Sequence, residues 1–464
     1  MLPLPKLVTS PGHWLFGPGY YAQRAPLDWI PRWIEAHGDI FMLKSPLGQA
    51  TIVASPELAR QVLVDRASRY QKKSRSYAVL RILMGNGLVT SEGEFWRGQR
   101  KLVQPAFHRR RLDAIFAMMV ERVADSVARL KHAGANGEAI DLAPPLSQLT
   151  LDIISRAMFS SDVQGAAADV SHHIATLNEY ALRMLRHPWL FLLPRRLPAP
   201  FTFGPLRSLK SLNEIVHGII QSRRRQPHAQ DDLLGMLISA TEEGTGRGMT
   251  DEQLRDEVMT VFVAGHETTA NAMAWLLCLV SQHPEIEKKL VADIDAHWPA
   301  GGLTSENIGA FAYVRQVIEE SLRVYPTIWS IGRSCTEEDE LGGCRIPAGM
   351  NVVVPIFHFH WNERFWPEPR QFDPSRFSPE RRPSPDATIY FPFGAGPRSC
   401  IGNHFALQEL MIMTILFYRD LRFRIEPGFK VEPDPLITLR PKYGMKMLLQ
   451  ARAARSPAQA ISSS

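Results

Sequence analysis

One cysteine, Cys400, lies in a glycine-rich loop that runs from Phe393 to Gly402. The apolar run Phe405 to Leu416 predicts a helix, so a Cys400 thiolate would lie close to a helix N-terminus, where the dipole and unpaired N–H groups stabilise an anion. The glycines let the backbone pass close to a flat ligand, and Phe393 is placed to cover the sulfur. Such a loop offers one soft, rigidly held anionic ligand, which is what a haem iron with a thiolate axial ligand requires.

Other uses of this loop fit its residues less well. A lone cysteine is commonly a small buried apolar residue. Zinc would need further ligands at close spacing, for which His404 is the one candidate. No lysine follows the glycines, as a phosphate-binding loop would require, and Pro397 and Ser399 break the pattern of a dinucleotide-binding loop.

A second chemical group lies in the middle of a long predicted helix. The helix begins at the capping pattern Thr250-Asp-Glu-Gln253 and continues to Pro284. Its centre, Ala264-Gly-His-Glu-Thr-Thr269, contains a glycine and two threonines, which are poor helix formers. The Thr268 hydroxyl can hold a water and the Glu267 carboxylate can relay protons to it. The zinc sequence H-E-x-x-H is not completed, because position 270 is alanine.

Composition excludes several other classes of protein. The chain has 464 residues, of which 45% are hydrophobic and 22% charged, so it can bury a large core. Four cysteines without a C-x2-C pair favour a reducing compartment over a disulfide framework. The net charge of +6, without a basic stripe interleaved with aromatic residues, gives no nucleic-acid signature. No uninterrupted apolar segment in residues 1–21 approaches the length of a membrane span or a signal peptide.

The two chemical groups together resemble the cytochrome P450 family. The cysteine loop matches the family pattern F-x-x-G-x-R-x-C-x-G, and the helix centre matches its oxygen-binding motif A/G-G-x-D/E-T. The resemblance extends by layout from about Pro11 to Gln450. It implies a mainly α fold with a small β region, in one triangular-prism domain over 21–450. An N-terminal arm (1–20) precedes this domain and a disordered tail (451–464) follows it.

The resemblance implies a haem-thiolate monooxygenase that uses haem b and O2. It would insert one oxygen atom into a C–H bond or a double bond of a lipophilic small molecule such as a fatty acid, a terpenoid or another natural product. Cys400 would ligate the iron, and Thr268 and Glu267 would form the catalytic pair. Cofactor contacts are expected from Trp96, Arg100, Arg333, Arg398, Phe393, Gly394, Gly402 and Ala264.

Two alternatives remain open. The same scaffold could act as a peroxygenase, or as a dehydratase or isomerase, without external electrons. Glu267 and Thr268 favour oxygen activation, because peroxide-using relatives often lose that pair. A haem-binding sensor without enzymatic activity would not need a proton relay.

A buried ion-pair cluster is expected to support the cysteine loop. Glu320 and Arg323 match the family's E-x-x-R pattern, and Arg376 in a later F-x-P-x-R-F stretch would be their partner. His358 and His360 are interpreted as structural histidines that alternate on a strand, because no third ligand accompanies them.

The substrate region is predicted from apolar segments. Residues Arg66 to Thr90 are interpreted as a long loop that lines the substrate pocket. Thr327 to Ile331 is interpreted as a strand leaning over the haem. The proline-rich stretch from His187 to Phe203 would be a mobile lid, with a transient membrane contact possible. The expected pocket lining is Val79, Leu80, Leu83, Phe262, Ile328, Trp329 and Ile437.

Electrons are expected from a separate protein, since only 64 residues follow Cys400 and leave no room for a fused flavin reductase. A ferredoxin or flavodoxin, with its NAD(P)H-dependent reductase, would dock on a basic face. Its residues would be Arg97, Lys101, Arg109, Arg110 and Arg111. The protein is expected to be cytoplasmic, monomeric and of the soluble bacterial type.

Overall fold

The structure is a computed structural model that describes residues 3–4, 6–7, 19–45, 48–159, 167–186, 200–225, 232–241, 246 and 248–452. Helices dominate it. In chain order the helices are α1 (Gly19–Arg24), α2 (Pro26–His37), α3 (Pro56–Arg60), α4 (Arg75–Met84), α5 (Gly93–Val103), α6 (Arg109–Ala133), α7 (Ala143–Phe159), α8 (Ala167–Arg186), α9 (Pro200–Arg225), α10 (Leu233–Ser239), α11 (Asp251–Gln282), α12 (Pro284–His297), α13 (Ala312–Val324), α14 (Ile356–Trp361) and α15 (Asn403–Asp420).

The strands form small sheets beside the helices. They are β1 (Lys6–Leu7), β2 (Ile40–Ser45), β3 (Gly48–Val53), β4 (Tyr70–Gln71), β5 (Ile140–Asp141), β6 (Ile331–Cys335), β7 (Asp339–Leu341), β8 (Cys344–Ile346), β9 (Asn351–Val354), β10 (Leu421–Ile425), β11 (Pro433–Pro435), β12 (Leu439–Pro441) and β13 (Lys446–Ala451). The largest sheet has the order β1-β2-β3-β9-β6-β4, and a second has the order β10-β13-β5. Strands β3 and β9 pair in parallel with Ala50 opposite Asn351, whereas β6 and β9 are antiparallel with Ile331 opposite Val354. The predicted mainly α fold with a small β region is confirmed.

The long helix α11 is the central element of the core. Thr250 caps it by accepting a hydrogen bond from the Gln253 backbone N–H at 3.2 Å, while the Gln253 side chain accepts one from the Thr250 N–H at 2.8 Å. The helix packs most extensively against α7. Gly265 lies at this contact, where an added Cβ would be only 3.2 Å from Ile154. Because α11 is buried along most of its length, its central residues are held rigidly.

The segment from Arg66 to Thr90 is not one long loop as predicted. It contains β4 and the helix α4, which begins after Ser74 and ends at Gly85. Val79 and Leu83 are four residues apart and fully buried, so tertiary packing stabilises a helix whose own start has no side-chain cap.

Two further local predictions were wrong. Strand β6 begins at Ile331, so Ile328 and Trp329 lie in irregular backbone before it; the carbonyl of Trp329 instead accepts a hydrogen bond from the Phe357 N–H at 3.1 Å. His358 and His360 lie on the short helix α14, not on a strand. The alternating apolar and histidine residues of this hexapeptide gave a period of two, but a contiguous buried segment satisfies either geometry.

Both histidines have hydrogen-bond partners. His358 contacts the Asn362 side chain at 3.0 Å, and His360 accepts a bond from the Phe391 N–H at 3.3 Å. Burial lowers the pKa of His358 to about 4 and that of His360 to about 3, so both are neutral at physiological pH.

Some predictions concern residues that the structure does not describe. Most of the expected lid, 187–199, lies outside the described residues, and the described chain resumes in α9. Most of the predicted tail, 453–464, is also outside them, although Ala451 still belongs to β13. Within the described residues, no helix is both long and apolar enough to cross a membrane.

Candidate active site

An internal cavity of about 310 Å³ lies between α11 and the Cys400 loop. The loop wraps around its cysteine: the Cys400 N–H donates to the Phe393 carbonyl at 2.9 Å. Gly396 has φ of +69°, and a Cβ there would lie 2.0 Å from the carbonyl oxygen of Leu63, so only glycine fits. The loop is therefore locked between a π-helical turn (Gln61–Asp65) and the start of α15.

The exposed surface of Cys400 opens into this cavity. Burial in the protein interior raises the pKa of the Cys400 thiol, while the Gly402 N–H and the positive charges of Arg100 and Lys72 act in the opposite direction. A bound metal cation would add the missing favourable charge and hold the sulfur as thiolate.

Basic side chains converge on the same cavity. Lys72, Arg100, Arg333 and Arg398 all line it. Burial lowers the pKa of Lys72 well below its usual value, and the charges of Arg333 and Arg398 lower it further. The one carboxylate that pairs with this group among the described residues is Glu92, which bonds to Arg398. The cavity therefore carries an excess of buried positive charge.

Arg398 shows that the site is incomplete without an anion. Its guanidinium stacks on the Trp96 ring, 3.8 Å from the centroid, and Nη2 donates to the Ser91 carbonyl at 2.8 Å. Its Nη1 is buried and has no hydrogen-bond partner in the described chain. A buried guanidinium donor without a partner is costly, so an anionic ligand is expected here.

These observations fit a haem. A haem needs one axial ligand, a glycine-lined passage for a flat ring and cations for two propionate groups, and Cys400, its loop and the four basic residues meet each need. Most of the residues that the family resemblance suggests for the site lie around this one cavity. Those that line this cavity are Cys400, Trp96, Arg100, Arg333, Arg398, Phe393, Gly394, Gly402, Ala264 and Thr268.

The opposite wall of the cavity is the centre of α11. The Thr268 hydroxyl donates to the Ala264 carbonyl at 2.8 Å, one turn earlier on the same helix. Glu267 points to another side of the helix, where its Oε2 accepts from Asn178 Nδ2 at 3.1 Å and its Oε1 accepts from the Thr438 hydroxyl at 2.7 Å. Of the predicted acid–alcohol pair, Thr268 therefore lines the cavity in front of Cys400, whereas Glu267 does not.

The second cavity, of about 570 Å³, lies beside the first and is bordered by Glu267. Ala264, Thr268, Ile328 and Arg333 belong to the walls of both cavities. A ligand in the second cavity would therefore approach the space in front of Cys400 from the side of Thr268.

The predicted pocket lining is only partly placed in these cavities. Leu80, Ile328, Trp329 and Ile437 line the second cavity. Val79, Leu83 and Phe262 line neither cavity and are packed in the hydrophobic core with at most 1% of their surface exposed. The reason is helical geometry. When Leu80 on α4 faces the cavity, Val79 and Leu83 lie on another side of the helix and pack in the core.

The predicted ion-pair cluster is buried and close-packed. Arg323 donates from Nε and Nη2 to the two oxygens of Glu320, both at 2.7 Å, and neither side chain is exposed. Arg376 Nε lies 3.5 Å from Glu320 Oε1. Arg323 Nη1 also donates to the carbonyls of His360 and Pro369, at 2.6 and 2.9 Å. The cluster thereby fixes the segment that precedes the Cys400 loop to α13.

Several site residues were not found from the sequence. Lys72 belongs to no recognisable sequence motif, and it reaches the cavity only because of the positions of β4 and α4. Asn178 and Thr438 reach Glu267 from distant parts of the chain, and Glu257 and Thr260 precede the recognisable motif on α11. Glu257 is 1% exposed and lines the first cavity. Thr260 lies one helical turn before Ala264 and Glu257 two turns before it, and this spacing is the only signal in the sequence for their placement.

Comparisons with known proteins identify the family of the chain. The cytochrome P450 family model matches residues 9–448. Cyclooctat-9-en-7-ol 5-monooxygenase of Streptomyces melanosporofaciens is 33% identical over 90% of both chains. Pentalenene oxygenase of Streptomyces avermitilis is 31% identical over 97% of this chain and 98% of its own. The crystal structure of the cytochrome P450DA haem domain superposes with a TM-score of 0.84 at 26% identity, covering 99% of this chain and 98% of that chain.

The fold and the site define a haem-thiolate monooxygenase, a class of oxidoreductase that incorporates an atom of molecular oxygen. The chain belongs to the cytochrome P450 family. As in that family generally, it depends on a redox partner and acts on lipophilic molecules.

Proposed function

We propose that Cys400 is the axial ligand of haem b and that the cavity in front of it is where O2 and substrate meet. The observation that carries this proposal is the convergence of one cavity-facing thiol with four basic side chains, one of which has an unpaired buried donor. A bound haem with a thiolate ligand supplies oxygen activation and insertion of one oxygen atom into a C–H bond. The propionates would be held by Trp96, Arg100, Arg333, Arg398 and Lys72.

The protein's own part in proton delivery lies on α11. The Thr268 hydroxyl borders both cavities and can orient a water in the first. Glu267 is held by two neutral donors, Asn178 and Thr438, so its carboxylate keeps a fixed position at the second cavity. A proton would pass from Glu267, through water, to the hydroxyl side of Thr268. This arrangement favours oxygen activation over peroxygenase, dehydratase or isomerase chemistry.

The substrate that we infer is a lipophilic molecule of terpenoid size. The first cavity presents mostly apolar residues above the cysteine, such as Val261, Leu88 and Ile328. Two of the similar proteins carry names that denote oxidation of cyclic terpenoids, and the second cavity leaves space for such a ring system. Residues 21–450 would act as one domain, in a monomeric cytoplasmic protein.

The test of the central claim is the absorption spectrum of the reduced, carbon monoxide-treated protein, for the wild type and Cys400→Ser. Thiolate ligation predicts a strongly red-shifted Soret band in the wild type and its loss in the variant. The same band in both proteins, or no haem in the wild type, would reject the assignment of Cys400.

We also propose that α6 begins in a docking surface for an acidic ferredoxin or flavodoxin. Arg109 and Arg110 are exposed, and the first turn of α6 contains no acidic residue. Cations at a helix N-terminus oppose the helix dipole and cost roughly 0.3–1 kcal/mol each, so a helix does not gain from them. The surface is close to the site, since a Cβ on Gly402 would lie 3.8 Å from Phe107, two residues before α6.

Reversing these charges should have opposite effects on the melting temperature and on the rate of reduction. Arg109→Glu with Arg110→Glu should raise the melting temperature slightly, because acids suit a helix start, yet slow reduction by an acidic partner steeply at low salt. Stopped-flow reduction at several salt concentrations measures the second effect, with Arg129→Glu, an exposed position near the far end of α6, as the control. Equal reduction rates in both variants would refute the docking surface.

A further inference from the structure

The first cavity contains one carboxyl group, Glu257, among its lining residues. It lies on α11, and its Oε2 accepts a hydrogen bond from the Leu88 N–H at 3.1 Å. Its other oxygen makes no hydrogen bond with the rest of the described chain, and no basic residue described here forms an ion pair with it. The neighbouring Arg255 pairs with Asp256 instead, at 2.7 Å. A buried carboxyl without a cation is costly for the fold.

Thr260 lies on the same face of the helix, three residues later. It also lines the first cavity, is 5% exposed, and its hydroxyl has no hydrogen-bond partner in the described chain. The loop opposite approaches closely, since a Cβ on Gly87 would lie 2.1 Å from the Thr260 oxygen. Two polar groups with unused hydrogen-bonding capacity thus lie together in an otherwise apolar part of the wall.

Burial raises the pKa of Glu257 to about 7, and the charge of Asp256 raises it further, whereas the Leu88 N–H acts in the opposite direction. The carboxyl group is therefore divided between its neutral and its charged form near pH 7 and is a pure acceptor above it, where its second oxygen lacks a protein donor. This combination is typical of groups retained for a ligand at the expense of stability.

We propose that Glu257 and Thr260 form a polar anchor that selects lipophilic substrates already bearing a hydroxyl group. A hydroxyl can donate to the free oxygen of Glu257 and accept from Thr260, so it satisfies both groups at once. A carboxylate would add a second buried anion, and above pH 7, where Glu257 is charged and can only accept, a ketone would leave it without a donor. The inference rests on the proposed function and narrows its substrate class to alcohols.

The anchor also predicts a distance. Glu257 precedes Ala264 by seven residues, which corresponds to about 10 Å along a helix at 1.5 Å per residue. Ala264 lies in the wall shared by both cavities, in the part of the site that faces Cys400. The hydroxyl and the carbon to be oxidised would therefore be about 10 Å apart, at opposite ends of a rigid polycyclic skeleton. An earlier hydroxylation or hydration must supply such a substrate.

The test compares three rigid probes that differ at one end: androstane, androstan-3-ol and androstan-3-one. Each is titrated at pH 8, where Glu257 is charged, into the haem-loaded ferric protein, and the dissociation constant is read from the spin-state shift of the Soret band. The wild type should bind the alcohol at least about tenfold more tightly than either other probe, since a hydrogen bond to a charged group contributes about 1.5–3 kcal/mol.

Two variants and one control assign that preference to the anchor. Thr260→Val keeps the shape and removes a hydroxyl that the fold does not use, and Glu257→Gln keeps an acceptor for Leu88; each should reduce the ratio of alcohol to androstane affinity several-fold. Asp256→Asn is the control, because Asp256 holds the same loop through the Asn86 N–H at 2.7 Å but does not line the cavity. It should leave the ratio unchanged.

Each other outcome overturns the anchor. Equal binding of the three probes by the wild type, an unchanged ratio in both anchor variants, or an equal reduction in Asp256→Asn would each do so. Tighter binding of a fourth probe, an androstane with a primary amine at the same position, than of androstan-3-ol would also overturn it, because the site would then select an ammonium group and not a hydroxyl. The carbon monoxide spectrum of every protein is recorded in parallel, so that loss of thiolate ligation, a failure of the proposed function, is recognised separately.

Discussion

At the scale of single residues, α11 combines side chains that its fold does not need. Thr268 bonds back to its own helix, Glu267 is held by Asn178 and Thr438, and Glu257 is buried with one oxygen unused. Thr268 is a poor helix former and Glu257 is poorly paired, whereas Glu267 is well paired only through distant residues, and all three border a cavity. Such local costs at cavity walls are consistent with selection for chemistry and binding instead of stability.

The free energy cost of burying Glu257 depends on pH and can therefore be measured. Its pKa rises from 4.5 to about 7 on folding, so the folded protein favours the protonated form. The penalty is absent below pH 4.5, grows as the pH rises, and levels off above pH 7 at about 3 kcal/mol, from 1.36 kcal/mol per pKa unit. Glu257→Gln should therefore raise the melting temperature at pH 8 and have little effect at pH 5.

Thermal unfolding at both pH values measures this difference. Glu363→Gln, which changes an exposed carboxylate, is the control and should alter the melting temperature equally at pH 5 and pH 8. A gain for Glu257→Gln that is the same at both pH values would show that the carboxyl is not destabilised by burial.

At the scale of elements, the Cys400 loop depends on a neighbour that has no chemical role. The carbonyl of Leu63, in the π-helical turn, occupies the place where a side chain on residue 396 would lie. Gly396→Ala should therefore destabilise the protein by more than 2 kcal/mol and lower its haem content, because the contact is with backbone that cannot rotate away and because φ is positive.

A matched glycine separates the two causes. Gly428 has a similar φ of +80° but open space around its Cα, so Gly428→Ala carries the conformational strain without the clash. Its loss of stability in chemical denaturation should be about 1 kcal/mol, with full haem content. Comparable losses in both variants would mean that the approach of Leu63 does not hold the loop.

The same scale shows why only part of the structure could be predicted from the sequence. The Cys400 loop and the capped start of α11 are local patterns, in which neighbouring residues determine the geometry, and both predictions agree with the structure. The helix α4 is different, because it has no side-chain cap and is stabilised by contacts with α8 and α11. Because the sequence does not reveal this helix, the prediction that Val79 and Leu83 line the pocket was wrong, and the position of Lys72 at the cavity was not predicted.

At the scale of the whole molecule, the ion-pair cluster connects the core to the active site. Arg323 is bonded to Glu320 and to the carbonyl of His360, and the ring of His360 accepts from the Phe391 N–H. The Phe391 carbonyl then accepts from Gly394 in the Cys400 loop at 2.9 Å. A series of hydrogen bonds therefore connects α13 with the loop that carries the predicted iron ligand.

Glu320→Gln should interrupt this connection while keeping the size of the side chain. It leaves Arg323 and Arg376 buried without a counter-charge, which typically costs about 3–5 kcal/mol. The purified variant should contain little haem, as measured by the ratio of Soret to protein absorbance, and its apoprotein should unfold at lower denaturant concentration.

Glu319→Gln is the matched control, because the adjacent Glu319 pairs at 3.0 Å with Arg382, whose side chain is 40% exposed. Water can solvate Arg382 once its partner is lost, so this variant should keep most of its haem. Full haem content in Glu320→Gln, or equal losses in the two variants, would show that the buried cluster does not support the site.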